Sequence, residues 1–324
     1  MDNEVVLDLR DLHTTYLINN LQAEAVRGVS LAVMRGQTVG LVGESGCGKS
    51  SVGYSILRIL ASNGRTRAEQ CLFRGVDLFK LSDAEMARYR WDGISMIFQG
   101  AMNALNPVIR VDDLLVEILR THSQVTRSEA LARIAELFEM VGLSPQRMTS
   151  YPHELSGGMR QRVVIAMSLL CNPELIIADE PTTAFDVIVQ DQILKEIESI
   201  QDRLGIGMIL ISHDIAVISE TCDTVAVMYA GQIVESGSTA AVMKQTSHPY
   251  TRAMLASLPD IRGPRIPLTS LVGAPPSLTQ RIPGCSFAPR CPAAKEECRV
   301  REPDLVPLSF DPDHLVRCHF AGTE

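Results

Sequence analysis

The run Gly43-Glu44-Ser45-Gly46-Cys47-Gly48-Lys49-Ser50 fills every position of the pattern GxxxxGK[ST]. Glycines at those places let the backbone curl until successive N–H groups converge on phosphate oxygens. A helix opening at the end of the run would add the positive end of its dipole. Lys49 would neutralise charge on β- and γ-phosphates, and the Ser50 hydroxyl would ligate Mg²⁺. The expected cradle is Gly43 to Ser51. Downstream, Asp179-Glu180 closes an apolar run, with Asp179 placed to hold Mg²⁺ through its water shell and Glu180 to polarise an attacking water. Phosphoryl transfer asks for this kind of positioning and charge stabilisation more than for covalent intermediates. A third group, Ser156-Gly157-Gly158, opens another anion-binding helix start. One nucleotide does not need two such cradles from one chain, so this one is expected to meet a nucleotide held by a partner.

These residues need strands that end where they stand. Thr38–Val42, Ile94–Phe98, Leu175–Ala178 and Met208–Ile211 are short, almost wholly apolar runs. They end at Gly43, at Gln99, at Asp179, and at Ser212 with His213. Buried strands with polar groups at their carboxyl ends are how open α/β sheets build sites. Val5, Leu7 and Leu9 alternate with Asp8 and Arg10, which predicts a strand with one wet face. A helix is predicted from Ser51 to Leu57, and another after Gly158 with Val163, Val164, Met167 and Leu170 on its apolar positions. Thr126 with Glu129 forms a capping box for a third, carrying Leu131, Ile134, Leu137, Phe138 and Val141 and stopped by Gly142. Val225–Tyr229, Ala230-Gly231 and Gln232–Glu235 predict a β-hairpin.

Composition excludes several classes. Of 324 residues, 46% are hydrophobic and 21% charged, which suits a globular protein rather than a disordered tail. Lys plus Arg number 30 against 38 Asp plus Glu, and the net charge of −8 argues against a basic nucleic-acid surface. No run reaches the roughly 18 apolar residues that a membrane-crossing helix needs. The start Met1-Asp2-Asn3-Glu4 lacks the basic-then-apolar pattern of a secretory signal, so the expected compartment is the cytosol, with reduced cysteines. Cys71, Cys171 and Cys222 lie among apolar neighbours and are expected in the core. Cys47, beside Lys49 and loop N–H groups, is expected to favour the thiolate and to react with thiol reagents.

The last 40 residues hold Cys285, Cys291, Cys298 and Cys318. So short a segment cannot build a stable core unaided. Four soft ligands point to a metal or cluster staple. Structural zinc is the rival to a cluster, although CxxC knuckles are absent, and a tail without a ligand is the third reading. Residues 259–284 carry six prolines without periodicity and are expected to be an irregular linker.

Taken together, the ordered motifs resemble the ATP-binding subunit of an ABC transporter over about residues 5–255. Ser156-Gly157-Gly158 is similar to the family's signature motif. Gln99 is similar to the Q-loop glutamine, a Mg²⁺ ligand that also faces the membrane subunits. Ala184-Phe185-Asp186 is similar to the D-loop, and His213 to the switch histidine that contacts the γ-phosphate. Tyr16, following the first strand, fits the aromatic that stacks on adenine. Departures are Phe185 for the usual leucine, Gly100-Ala101 after Gln99 where a polar residue and proline are familiar, and Cys47 for serine or glycine. His248-Pro249-Tyr250-Thr251-Arg252-Ala253-Met254-Leu255 resembles the segment after the ATPase core in oligopeptide, dipeptide and nickel importer subunits. The tail resembles the Cys-rich end of the dipeptide and oligopeptide members.

The resemblance implies an α/β fold: a P-loop NTPase ABC cassette with RecA-like core, antiparallel β subdomain and α-helical signature subdomain, plus a small Cys-rich extension. The expected organisation is a cassette over 1–255, a Pro-rich linker over 256–284 and a Cys-rich domain over 285–324 holding a [4Fe-4S] cluster. The implied function is ATP hydrolysis that energises import of di- or oligopeptides, or a related small solute, with Glu180 and His213 catalytic. ATP would lie between the P-loop of one cassette and the signature motif of a related but different partner. Two transmembrane permease subunits and an extracytoplasmic solute-binding protein complete the implied assembly, with no nucleic acid. The chain would sit peripherally on the cytoplasmic face of the inner membrane. A soluble, non-transport ABC ATPase is the alternative, disfavoured by the single cassette, the absence of a coiled-coil insertion and the acidic charge. Because no tail cysteine belongs to an ATP motif, ATP binding is expected to survive loss of the cluster.

Overall fold

The computed structural model describes residues 4–100, 104–182, 185–257, 273–280 and 282–322. Among these, in chain order, the strands are β1 Val5–Ile18, β2 Leu21–Met34, β3 Thr38–Val42, β4 Gly64–Arg67, β5 Gln70–Phe73, β6 Val76–Asp77, β7 Ile94–Ile97, β8 Leu175–Asp179, β9 Gly207–Ser212, β10 Thr224–Tyr229, β11 Gln232–Ser238, β12 Val306–Leu308 and β13 Asp311–Val316. The helices are α1 Lys49–Ile56, α2 Asp83–Tyr89, α3 Val111–His122, α4 Arg127–Met140, α5 Gly157–Ser168, α6 Val187–Leu204, α7 Ile215–Thr221, α8 Thr239–Lys244, α9 Pro249–Ala256 and α10 Glu296–Val300. None of them is long and apolar enough to cross a membrane.

Two compact units share these elements. One comprises Met1–Leu7, Val33–Gln37 and Lys80–Ile209; the other Asp8–Ala32, Thr38–Phe79 and Leu210–Glu324. The second unit contains most of a sheet ordered β2-β1-β5-β6, in which β4 pairs antiparallel with β1 and β6 with β5. Its long first hairpin turns at Asn19 and Asn20, both left-handed at φ 49° and 64°. Two left-handed residues make the turn whose twist matches flanking strands, and asparagine is among the few side chains that adopt it cheaply. In the same unit β10 lies parallel to β3, Val225 opposite Gly40, and antiparallel to β11. The β10–β11 turn, Ala230-Gly231, is again left-handed twice. Gly40 is required inside its buried strand. A Cβ there would stand 2.6 Å from Ile218 and 2.9 Å from Cys222, so α7 packs directly on the backbone.

In the first unit β7 and β8 pair in parallel, Ile94 opposite Leu175 and Ile97 opposite Ala178. Both faces of β8 are buried, as its apolar sequence predicts. The Thr126–Glu129 capping box is present on α4, and Ile134, Leu137 and Phe138 are fully buried. Gly142 ends that helix at φ 67°, with Arg162 2.6 Å from where a Cβ would stand.

The structure corrects some expectations. Val5 is exposed, while Val6 and Leu7 are both buried, because β1 is covered on both faces there and does not alternate. Tyr16 lies within β1, which continues to Ile18, rather than after the first strand. Phe98 lies beyond the end of β7 and is exposed. Helix α5 is buried around nearly its whole circumference, Gln161 included, instead of along one stripe. Cys71 and Cys222 are buried core residues, but Cys171 is only half-buried. Most of the Pro-rich segment, Ala101–Asn103, Thr183, and the D-loop's Ala184 lie outside the described residues.

The tail joins an existing sheet. Strand β13 pairs with β11, Glu235 opposite Val316, and β12 pairs with β13. Buried His314 on β13 meets Oε1 of buried Glu235 at 2.8 Å. The same carboxylate accepts the N–H groups of Ser247 and His248, which fixes the start of α9.

Candidate nucleotide-binding site

The loop from Gly43 to Gly48 leaves β3 and enters α1, as the motif requires. Two glycines are there for space. A Cβ on Gly43 would stand 2.1 Å from the Met228 carbonyl oxygen, and one on Gly48, at φ 104°, 1.9 Å from that of Ala25. Lys49 is buried, and its Nζ donates to the carbonyl oxygens of Gly43 at 2.8 Å and Glu44 at 3.0 Å. The ammonium is thus held over the loop by the loop itself.

Cys47 is 3% exposed. Burial raises its pKa, outweighing the nearby Lys49. The expectation of a reactive thiolate is therefore overturned: desolvation of the charged form wins over one neighbouring cation.

Hydroxyls fasten α1 to β1. Tyr16 donates to Ser51 Oγ at 3.2 Å, and Thr14 and Ser55 share a buried bond of 2.6 Å. Tyr16 pairs opposite Gly64, which leaves its ring room. Thr14 and Ser55 escaped the sequence reading because single hydroxyls carry no spacing signal. His213 follows β9 and is exposed; Asp214 caps α7 by accepting from Ala216 N at 2.8 Å.

In the first unit Asp179 ends β8 with no solvent exposure. Glu180 follows with φ 48°, a left-handed conformation that a non-glycine residue adopts at a cost of order 1 kcal/mol. Gln99 Nε2 donates to Glu180 Oε2 at 2.9 Å, so the residues after β7 and β8 converge. Ser156 caps α5, its Oγ accepting from Met159 N at 3.3 Å. Buried Gln161, one turn on, donates to the Pro181 carbonyl oxygen at 2.6 Å. That bond ties the Ser-Gly-Gly helix to the Asp179-Glu180 strand end. Asp186 caps α6, accepting from Ile188 N and Val189 N.

The tail reaches the loop. Arg290 grips the Glu44 carboxylate with both terminal nitrogens, at 2.7 and 2.8 Å. The Tyr250 hydroxyl accepts the Glu44 N–H at 2.9 Å. Neither residue was singled out from sequence for this loop, since they lie 246 and 206 positions away. Cys285, Cys291, Cys298 and Cys318 line one cavity of about 920 Å³ with Phe287 and Arg290. Among the described residues no group of three or more His, Cys, Asp or Glu closes on a single metal-ion position. Burial raises the thiols of Cys291 and Cys318, and pushes Cys285 up to about 11.

This combination of a strand–glycine loop–helix cradle, a carboxylate-ended strand and a serine-capped glycine helix defines an ATP-binding cassette. Residues 26–183 match the ABC transporter family model, and residues 234–298 match that of the oligopeptide/dipeptide transporter C-terminal region. The dipeptide transport ATP-binding protein DppD of Bacillus subtilis is 43% identical, over 97% of this chain and 94% of its own. The oligopeptide transport ATP-binding protein OppD of Salmonella typhimurium is 40% identical, over 97% and 93%. The dimeric structure of MJ0796, a bacterial ABC transporter cassette, superposes with a TM-score of 0.63 at 25% identity, covering 72% of this chain and 98% of that one. The chain belongs to the ATP-binding proteins of ABC transporters, ATPases coupled to transport.

Proposed function

We infer that this chain hydrolyses ATP to energise peptide import, working with two permease subunits, a related second cassette and an extracytoplasmic peptide-binding protein, on the cytoplasmic face of the membrane. The observation that carries the reading is the P-loop geometry, two glycines fitted against carbonyl oxygens and a buried lysine held over the loop. The peptide cargo is supported by the C-terminal region match and by the relatives' names.

Residues Gly43 to Ser51 cradle the phosphates, with Lys49 offsetting their charge. Tyr16 stacks on the adenine, and His213 contacts the γ-phosphate. Glu180 orients the attacking water, and its bond from Gln99 holds that carboxylate in place. Ser156, Gly157 and Gly158 present α5 to the nucleotide held by the partner cassette, and Asp186 flanks that junction. Ser50, Gln99 and Asp179 offer hydroxyl, amide and carboxylate oxygens, a donor set suited to Mg²⁺. Bound there, Mg²⁺ would supply positive charge to offset that of the phosphates.

For the tail, four cysteines line one cavity, and thiolates are the ligands that a [4Fe-4S] cluster takes. Cys285, Cys291, Cys298 and Cys318 would hold it as a cross-link within the tail.

The test is ATP hydrolysis by the chain reconstituted with two permease subunits and a second cassette. Peptide-loaded binding protein should stimulate turnover. Stimulation by a non-peptide solute alone, with no response to any di- or oligopeptide, would overturn the cargo.

A further inference from the structure

Glu44, the second residue of the phosphate-binding loop, has all its hydrogen-bonding groups engaged. Its carbonyl oxygen accepts from Cys47 N and Lys49 Nζ, inside the loop. Its N–H goes to Tyr250, and its carboxylate to Arg290. The Arg290 side chain is only 6% exposed. It also donates to the Tyr229 hydroxyl at 3.3 Å and lies over that ring, 5.7 Å from its centroid. Tyr229, Tyr250 and Phe287 pack against one another with centroids 4.7 to 5.4 Å apart. The guanidinium therefore has one place to be. Arg290 closes the turn Ala288–Arg290, and the next residue is Cys291 of the cavity.

A carboxylate within an anion cradle repels the phosphates it should admit. A bidentate guanidinium both cancels that charge and fixes the direction of the backbone that bears it. We propose that Arg290 is a positioning residue for ATP binding, by which the cysteine-lined tail holds Glu44 and so sets the shape and charge of the P-loop. The proposal rests on the reading of Gly43 to Ser51 as the nucleotide cradle.

The experiment uses the full chain and measures ATP affinity by displacement of a fluorescent trinitrophenyl analogue, with kcat and KM of the assembled ATPase and the melting temperature of each variant. Arg290→Ala should weaken ATP binding about tenfold, equal to about 1.4 kcal/mol, raising KM with kcat little changed at saturating ATP. Glu44→Gln added to it should recover most of the lost affinity, since the uncompensated charge is gone. Arg290→Lys keeps charge without the fork and should fall between; it carries the same test if the alanine variant does not fold. A lowered melting temperature with unchanged ATP affinity would reduce Arg290 to a structural tie and overturn the proposal. So would a double variant that binds more weakly than Arg290→Ala alone. Lys49→Ala is the separate control: undiminished ATP binding there would reject the cradle itself.

Discussion

Cys47 shows how a motif's residue can take its chemistry from outside the motif. Read along the chain, it sits beside a cation and loop N–H groups that favour a thiolate. In the fold it is shut away, and burial raises its pKa. Alkylation of the native protein at neutral pH should therefore be slow at Cys47 with or without nucleotide, and prompt after unfolding. Peptide mass spectrometry of timed samples reads this; rapid stoichiometric labelling of the native chain would contradict it. The positions of Lys49, Asp179, Glu180 and Ser156 were legible because each belongs to a local pattern of strand, loop and helix. The roles of Glu44, Tyr250 and Arg290 were not, because a contact across more than 200 residues leaves no spacing to read.

Among elements, apolar runs such as β3, β8 and β9 declare themselves, since a strand buried on both faces needs little else. The long β1–β2 hairpin was harder: half-buried faces, a Gly28 in the middle and an Asn-Asn turn weaken its period. Helix α9 exposes a different dependence. His248 caps it, Nδ1 accepting from Tyr250 N at 3.1 Å, and burial lowers the histidine's pKa to about 4. Unfolded, that imidazole takes its proton near a pH of about 6.5. Between those values the unfolded chain binds more protons, so this group's contribution makes stability fall as pH drops from about 6.5 towards 4. Replacing His248 with Gln should flatten the dependence of the urea midpoint across that window. An unaltered slope would show that other groups set it.

For the molecule as a whole, the tail is not an appendage to the cassette. Its strands extend the sheet that carries the P-loop strand, and its arginine holds the loop. The sequence suggested that ATP binding would survive loss of the tail's ligand; the Arg290–Glu44 pair argues for the reverse. Anaerobically purified protein should contain iron and acid-labile sulfide at about four each per chain, the content of one [4Fe-4S] unit. Cys291→Ser should lose both and also weaken ATP binding by several-fold, because Arg290 is the preceding residue. Stoichiometric zinc without sulfide would reject the cluster while keeping the tail's staple; unchanged ATP affinity in a cluster-free variant would separate tail from loop.

The proposed transport cycle requires ATP to be hydrolysed with Glu180, the carboxylate after Asp179, orienting the attacking water. The most direct measurement is steady-state ATP turnover by the assembled transporter with Glu180→Gln, alongside the nucleotide retained on the protein. The variant should bind ATP as the unsubstituted chain does and hydrolyse it at least about a hundredfold more slowly, a barrier raised by about 2.7 kcal/mol. Turnover at the unsubstituted rate would contradict the assigned chemistry.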